Sequence, residues 1–334
     1  MILKHINVFK NMDCYFITGG AGFIGSTFIN KFFKKYNNKV FILINFDALY
    51  YSGNVNNINN EIRNDKRYKF INGNLQSYEL LKYIFENNNI THIIHFAAQS
   101  HVQNSFTDSI QYTKDNVIGT HNLLEICKLY CDNLIKFIHV STDEVYGESN
   151  LDINEDIKTE QSILCPTNPY AASKAAAEML VNSYRHSFKI PTIITRGNNV
   201  YGPNQYPEKV IPKFIKQLKQ GDKITIQGDG SCVRAFLHSE DTANAFIKIL
   251  ELGKIGEIYN IGCDEKMEYS ILDIAKILIT KIKGISVNYD EWIEYIDDRP
   301  FNDKRYYISN NKLKELGWYI HKNFDDEITN LIQY

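Results

Sequence analysis

The sequence predicts an α/β protein: a Rossmann, doubly wound parallel sheet with a smaller C-terminal substrate-binding lobe. Three observations predict it. Short apolar runs take turns with stretches of helical spacing over the first two thirds of the chain. Several of those runs lack the in–out alternation of a sheet with one wet face, which fits a parallel sheet covered on both sides. A glycine-rich turn, Gly19-Gly20-Ala21-Gly22-Phe23-Ile24-Gly25, stands between the first apolar run and the first helical stretch.

The elements follow in order. Cys14 to Thr18 reads as a strand that stops at Gly19, and Phe28, Ile29, Phe32 and Phe33 give the next segment helical spacing. Val40 to Phe46 is a continuous apolar strand. Lys69 to Asn72, His92 to Phe96, Ile135 to Val140 and Pro191 to Thr195 are further strands. Between them lie helices over Leu80 to Phe85, Asn116 to Tyr130 and a long stretch opened by Tyr170. After about Gly197, prolines and turns cluster at Tyr201-Gly202-Pro203, Pro207 and Pro212, and the loops lengthen. The division expected is a dinucleotide-binding domain over 13–198, rejoined by 236–262, and a second lobe from 199–235 and 263–334. That lobe closes a cleft over the strand ends.

Composition narrows the function. The 334 residues are 44% hydrophobic and 23% charged, with a formal net charge of −2. That is ordinary for a globular enzyme, and it offers no basic stripe for nucleic acid. No apolar run reaches the length of a membrane span. The first dozen residues lack the small-residue cleavage site of a secretory signal, and the organised chain starts near Cys14, with Met12 a second candidate start. Six scattered cysteines complete no metal set and read as free thiols in a reducing, cytoplasmic setting.

The glycine turn suits a dinucleotide. Gly19 permits the tight turn, Gly22 lets a pyrophosphate approach the backbone, and Gly25 lets the helix pack closely. The helix N-terminus supplies N–H groups and a positive dipole end. Asp47, 22 residues beyond Gly25, closes the second strand, where a carboxylate takes ribose hydroxyls and repels a 2′-phosphate. This favours NAD over NADP. The same glycines fit a plain tight turn, and Asp47 fits a loop cap. Tyr170 and Lys174 lie four apart, on one face of a helix, where an ammonium lowers a phenol's pKa. Such pairs also arise by chance. Ser141-Thr142 ends a buried strand, on the side where open sheets bind ligands, and Asp143-Glu144 follows at once. An acid beside a separate base suggests elimination of water. The two carboxylates also fit a turn cap.

In Gly19–Gly25, Asp47, Ala97-Ala98, Ser141-Thr142 and Tyr170/Lys174, in that order, the chain resembles the extended short-chain dehydrogenase/reductase family, over nearly everything beyond residue 13. The resemblance implies that Gly19, Gly22, Phe23, Ile24, Gly25, Asp47, Asn74, Leu75, Ala97 and Ala98 hold NAD. It makes Tyr170 the acid/base, has Lys174 hold the nicotinamide ribose, and implies nucleotide-sugar substrates. Asn74 stands where the family usually has Asp against adenine. The segment Ser141-Thr142-Asp143-Glu144-Val145-Tyr146-Gly147 looks like that of nucleotide-sugar 4,6-dehydratases, hydro-lyases in which Thr142, Asp143, Glu144, Tyr170 and Lys174 would be catalytic. Related 4-epimerases and decarboxylases lack the Asp-Glu pair. They remain the alternative, with a non-catalytic NAD-binding regulatory protein further off.

The segments 199–209, 228–234 and 299–306 are similar to those that hold the nucleoside diphosphate. Ser100, Thr142, Asn199, Glu208, Lys209, Arg234, Asp303, Arg305 and Tyr306 are the residues this implies, with Arg234 and Arg305 on the diphosphate. Either arginine also fits a surface salt bridge of little worth. The match is nearest the dehydratase domain of plant-type rhamnose synthases, which leans toward UDP-glucose over dTDP-glucose and toward a deoxysugar (rhamnose) route. Gln227 departs from the Tyr of bacterial dTDP-glucose enzymes, and Ala235 is smaller than usual. The resemblance also implies a homodimer through a bundle of the helices beginning at Asn116 and Tyr170.

Overall fold

The structure is a computed structural model and describes residues 12–149, 157–298 and 301–334. The expectations for residues 1–11 and for Arg299-Pro300 lie outside the described residues. Seven parallel strands form the main sheet in the order β10-β6-β5-β4-β1-β2-β3. They are β1 (Asp13–Thr18), β2 (Phe41–Asp47), β3 (Tyr68–Asn72), β4 (His92–His95), β5 (Lys136–Thr142), β6 (Thr192–Gly197) and β10 (Ile258–Ile261). The order reverses between β1 and β4, and a crevice opens at such a switch point beyond the strand C-termini.

Both faces of the sheet are covered, which explains the unbroken apolar runs. Ile17, Leu43, Ile94, Ile138 and Ile193 pack on one side with Phe28, Ile29 and Phe32 of α1 (Phe23–Lys35). Phe246 and Ile249 of a later helix (Ser239–Leu252) join them. Phe16, Ile44, Phe46, Ile93, Phe137 and Ile194 pack on the other side. Their partners come from α2 (Tyr78–Asn87), α3 (Gly119–Tyr130) and α4 (Pro169–Phe188), through Leu81, Ile84, Leu123 and Val181.

Two expectations shift. The helix expected from Asn116 begins earlier: a helical turn at Ser109–Tyr112 leads through a π-helical stretch, Thr113–Ile118, into α3. Apolar spacing does not reveal a π turn, because one extra residue per turn displaces the stripe only locally. The long loops expected after Gly197 contain regular structure. The strands β7 (Asn199–Tyr201), β9 (Val233–His238) and β11 (Glu268–Ser270) make one small sheet, and β8 (Ile224–Gln227) with β12 (Ile293–Ile296) makes another. With α5 (Val210–Gln220), α6 (Ser239–Leu252), α7 (Ile271–Lys283) and α8 (Phe324–Gln333) these complete the fold. Phe214, Ile226, Phe236, Leu278 and Phe324 form a separate core there. Residues 236–238 stay with the small sheet, while α6 packs beside α1 and β10 extends the main sheet.

Candidate active site

A cavity of about 950 Å³ opens at the strand ends. One wall is backbone. Gly19 turns the chain at φ +70°, and a Cβ there would stand 2.6 Å from the Ala97 nitrogen. At Gly25 a Cβ would stand 2.4 Å from the Gly19 carbonyl oxygen. At Gly22, the N-cap of α1, it would approach nothing nearer than 3.2 Å, and no side chain caps the helix. The first N–H groups of α1 therefore face the cavity as a phosphate cradle would. Asp47 accepts from the backbone N–H of Ala21 at 2.9 Å and of Leu49 at 2.8 Å. Burial pushes its carboxyl up, and the backbone hydrogen bonds act against that. Asn74 accepts from the Gln76 N–H at 2.8 Å and donates to the Tyr50 hydroxyl at 2.5 Å. Phe23, Ile24, Leu75, Ala97 and Ala98 complete this wall.

At the centre, Asn168 caps α4 by accepting from the Ala171 N–H at 2.9 Å, with Pro169 in the first turn. Tyr170 and Lys174 then line the cavity one turn apart. The net shift at Tyr170 runs upward rather than down. Burial pushes Tyr170 up and Glu144 adds to it, while the Thr142 hydroxyl acts against both. Burial also brings Lys174 down to about 8, with Glu178 opposing, and its ammonium donates to the Val140 carbonyl at 2.7 Å. Desolvation of both groups outweighs the help that spacing alone promised.

Thr142, Asp143 and Glu144 sit where β5 passes into a single 3₁₀ turn, Asp143–Tyr146. The Thr142 hydroxyl accepts from the Glu144 N–H and donates to Asp143 at 3.1 Å. Asn198 donates to Asp143 at 2.6 Å, and Asn168 donates to Glu144 at 2.9 Å. Burial, then the Glu144 charge, pushes Asp143 up to about 7. Glu144 is also raised by burial, with Asn168 opposing. Glu144 lines the cavity, whereas Asp143 lies just behind its wall, 3% exposed. Two adjacent buried carboxyls, both raised by burial, can share one proton and so act as an acid beside a base.

The opposite wall is made of side chains. Ser100, Asn199, Glu208, Lys209, Arg234 and Tyr306 all line it. Lys209 donates to the Ser100 carbonyl at 2.9 Å, and Glu208 accepts from the Tyr51 hydroxyl at 3.0 Å. The Arg234 guanidinium lies over the Tyr306 ring at 4.8 Å, and the Tyr306 hydroxyl stands 3.5 Å from Glu144. Asp303 and Arg305 are not brought to the cavity. Asp303 accepts from the Thr167 and Tyr306 hydroxyls. Arg305 donates to Glu268 at 2.8 Å and stacks on Tyr307.

Three asparagines were missed. Asn168 had a signal, an Asn-Pro step ahead of a helix. Asn198, which holds Asp143, directly follows a strand end. Asn116 lies in the π-helical stretch, accepts from the Gln99 N–H at 2.7 Å and donates to Ser173 at 2.9 Å. Among the described residues no group of three or more His, Cys, Asp or Glu could hold a metal ion, and no helix is long and apolar enough to cross a membrane.

This sheet order, glycine turn and Tyr/Lys helix are those of a short-chain dehydrogenase/reductase. The family described as GDP-mannose 4,6 dehydratase matches residues 16–331, and the chain belongs to it. It is 47% identical to a dTDP-D-glucose 4,6-dehydratase of Dictyostelium discoideum, over 90% of this chain and 76% of that one. It is 45% identical to a trifunctional UDP-glucose 4,6-dehydratase/UDP-4-keto-6-deoxy-D-glucose 3,5-epimerase/UDP-4-keto-L-rhamnose-reductase of Arabidopsis thaliana, covering 95% of this chain but 46% of the plant protein. A dTDP-glucose 4,6-dehydratase from Streptomyces venezuelae, crystallised with NAD, superposes with a TM-score of 0.87 at 33% identity over 96% of each chain.

Proposed function

We propose that this protein is an NAD-dependent nucleotide-sugar 4,6-dehydratase, a hydro-lyase that turns UDP-glucose or dTDP-glucose into the 4-keto-6-deoxy sugar, with UDP-glucose the first substrate to test. The observation that carries this is the buried pair Asp143 and Glu144, two carboxyls of unlike environment on the turn that faces Tyr170. The phosphate cradle at Gly22 and the carboxylate of Asp47 support NAD. NAD held by the start of α1 and Asp47 would supply the hydride acceptor for C4 and the donor for C6, ending unchanged.

Tyr170 takes the proton of the sugar 4-hydroxyl, with the Thr142 hydroxyl alongside. Lys174, ionised at neutral pH, offsets the charge that develops on the phenol. The resulting 4-ketone acidifies C5, and Glu144 removes that proton while Asp143 protonates O6, which departs as water. Glu144 then returns its proton to C5. Asp143 then recovers the proton that Tyr170 took from O4, which resets both groups, and the net change is loss of one water. Arg234 and Lys209 serve the diphosphate, Asn199 the amide contact, and Tyr306 holds Arg234 beside the sugar.

The division into a dinucleotide domain and a substrate lobe belongs to the same reading, supported by the separate cores. So does a homodimer through the helices around 109–130 and α4, supported by exposed Ile110, Ile118 and Met179. A cytoplasmic setting is supported by six cysteines with no disulfide among the described residues. Incubation with UDP-glucose and with dTDP-glucose, followed by the alkaline absorbance of a 4-keto product, tests the activity, and the ratio of rates assigns the base. The variant carrying Asp143→Asn and Glu144→Gln is expected to oxidise C4 slowly and release no deoxysugar. Normal product from it would remove the assignment, and a 4-epimer as product would mark an epimerase.

A further inference from the structure

Behind the cavity, out of its lining, lies a buried ion pair that touches no reacting group, although the Glu178 charge also favours the ionised form of Lys174. Glu178 is fully buried on α4, one turn beyond Lys174 and two beyond Tyr170. Arg196, on β6, grips it with a fork: Nε stands 3.1 and 3.2 Å from the two carboxylate oxygens, and Nη2 stands 2.7 Å from Oε2. The other arm of the guanidinium donates to the Tyr146 hydroxyl at 2.8 Å and lies over that ring at 4.6 Å. Tyr146 in turn donates to Asn260 of β10 at 2.8 Å.

The three residues join the three pieces of the site. Tyr146 closes the 3₁₀ turn that carries Asp143 and Glu144. Glu178 belongs to the helix that carries Tyr170 and Lys174. Arg196 lies two residues before Asn198, the donor to Asp143. A forked, planar pair fixes both distance and rotation in a way one point charge does not. Replacing a buried ion pair with apolar groups is often neutral for stability, so stability alone does not explain an ion pair here.

We infer that Glu178, Arg196 and Tyr146 form a positioning unit that sets the carboxylate turn in register with the redox helix, so that one bound sugar meets both. This rests on the dehydratase reading. Oxidation at C4 draws on α4 and Thr142, whereas elimination also needs Asp143 and Glu144 of the turn held against α4. Loss of the unit therefore slows elimination more than oxidation, and reduced nicotinamide builds up on the enzyme.

The test compares Arg196→Met, Arg196→Lys and the double variant Glu178→Met with Arg196→Met, each as purified holoenzyme with the nucleotide sugar that wild type converts. Arg196→Met strands a buried carboxylate and is expected to melt at lower temperature. The double variant is expected to regain most of the melting temperature. Its product kcat is expected to stay about 100-fold low, the scale of a misplacement of about 1 Å, with KM near that of wild type. Reduced-nicotinamide absorbance should rise during its turnover, and Arg196→Lys should recover only part of the rate. Recovery of kcat along with the melting temperature, or a slow double variant without that absorbance, would overturn the inference. If the double variant does not fold, Tyr146→Phe decides: the same build-up at smaller amplitude supports the unit, and wild-type partitioning overturns it. Absence of 4-keto-6-deoxy product from wild type would instead remove the dehydratase reading.

Discussion

The two walls of the cavity are built on opposite principles. The wall against the main sheet is backbone: Gly19, Gly22 and Gly25 leave room, and the start of α1 offers N–H groups that no rotamer can withdraw. The facing wall is side chains projected from short strands and loops, with Lys209 held by the Ser100 carbonyl and Arg234 lying over the Tyr306 ring. Backbone recognition is rigid, tolerates no added atom and fits one shape shared by dinucleotides. Side-chain recognition can change one group at a time, which suits the substrate wall of the proposed function.

The largest expected effect breaks the backbone wall. In Gly25→Val the new Cβ would meet the Gly19 oxygen and, at 2.8 Å, the Gly20 Cα, both main-chain atoms that cannot rotate away. Overpacking of this kind costs about 1–3 kcal/mol. NAD binding by calorimetry is expected to vanish along with activity, and the denaturation midpoint to fall. Retained NAD affinity would show that the cradle is softer than its contacts indicate.

A graded effect is expected from the other wall. Arg234→Ala removes charge-assisted bonds worth about 1.5–3 kcal/mol, so affinity for the nucleoside diphosphate should drop about 10- to 150-fold. NAD binding should be unchanged, because Arg234 projects from β9 in the small sheet. Calorimetric titration with UDP and with NAD checks both halves. Equal losses for the two ligands would mean that the walls are not independent.

The same contrast explains what the sequence made legible. A glycine spacing, an apolar run and an Asp at a strand end are local patterns, and six strands of the main sheet follow them within a residue or two at each end, while the short edge strand β10 carried no such reading. Tyr170 and Lys174 are equally local, one helical turn apart. The environment of Asp143 is not. Its donor Asn198 lies 55 residues away, and the backbone partner of Asn198, Cys263, another 65. Charge followed the same rule. Spacing promised a lowered phenol at Tyr170, but burial, a property of the whole fold, decides the direction. The second lobe hid its strands because runs of three to six residues carry too little periodicity to separate from turns.

The smallest effect sharpens the comparison at its most stressed point. Asp143 carries a carboxyl raised from 3.8 to about 7 by burial and by Glu144. The folded protein thus holds this proton more tightly than the unfolded chain does. Stability from this group is complete below about pH 4 and is lost as pH climbs through about 7. In Asp143→Asn there is no proton to lose. The amide oxygen can accept from Asn198, and the amide NH₂ can donate to the Thr142 hydroxyl, so the shape is kept. The melting temperature of the variant relative to wild type should therefore rise from pH 4 to pH 7 and then level off. Adding Glu144→Gln to both proteins should shrink that rise, since part of it is repulsion between the two carboxyls. Asp47→Asn, on the backbone wall, should show a weaker rise, because the N–H groups of Leu49, Ala21 and Gly22 counter the burial there. A gap at Asp143 that does not change with pH would mean that it ionises as an ordinary carboxylate, and the elimination would then need a different acid.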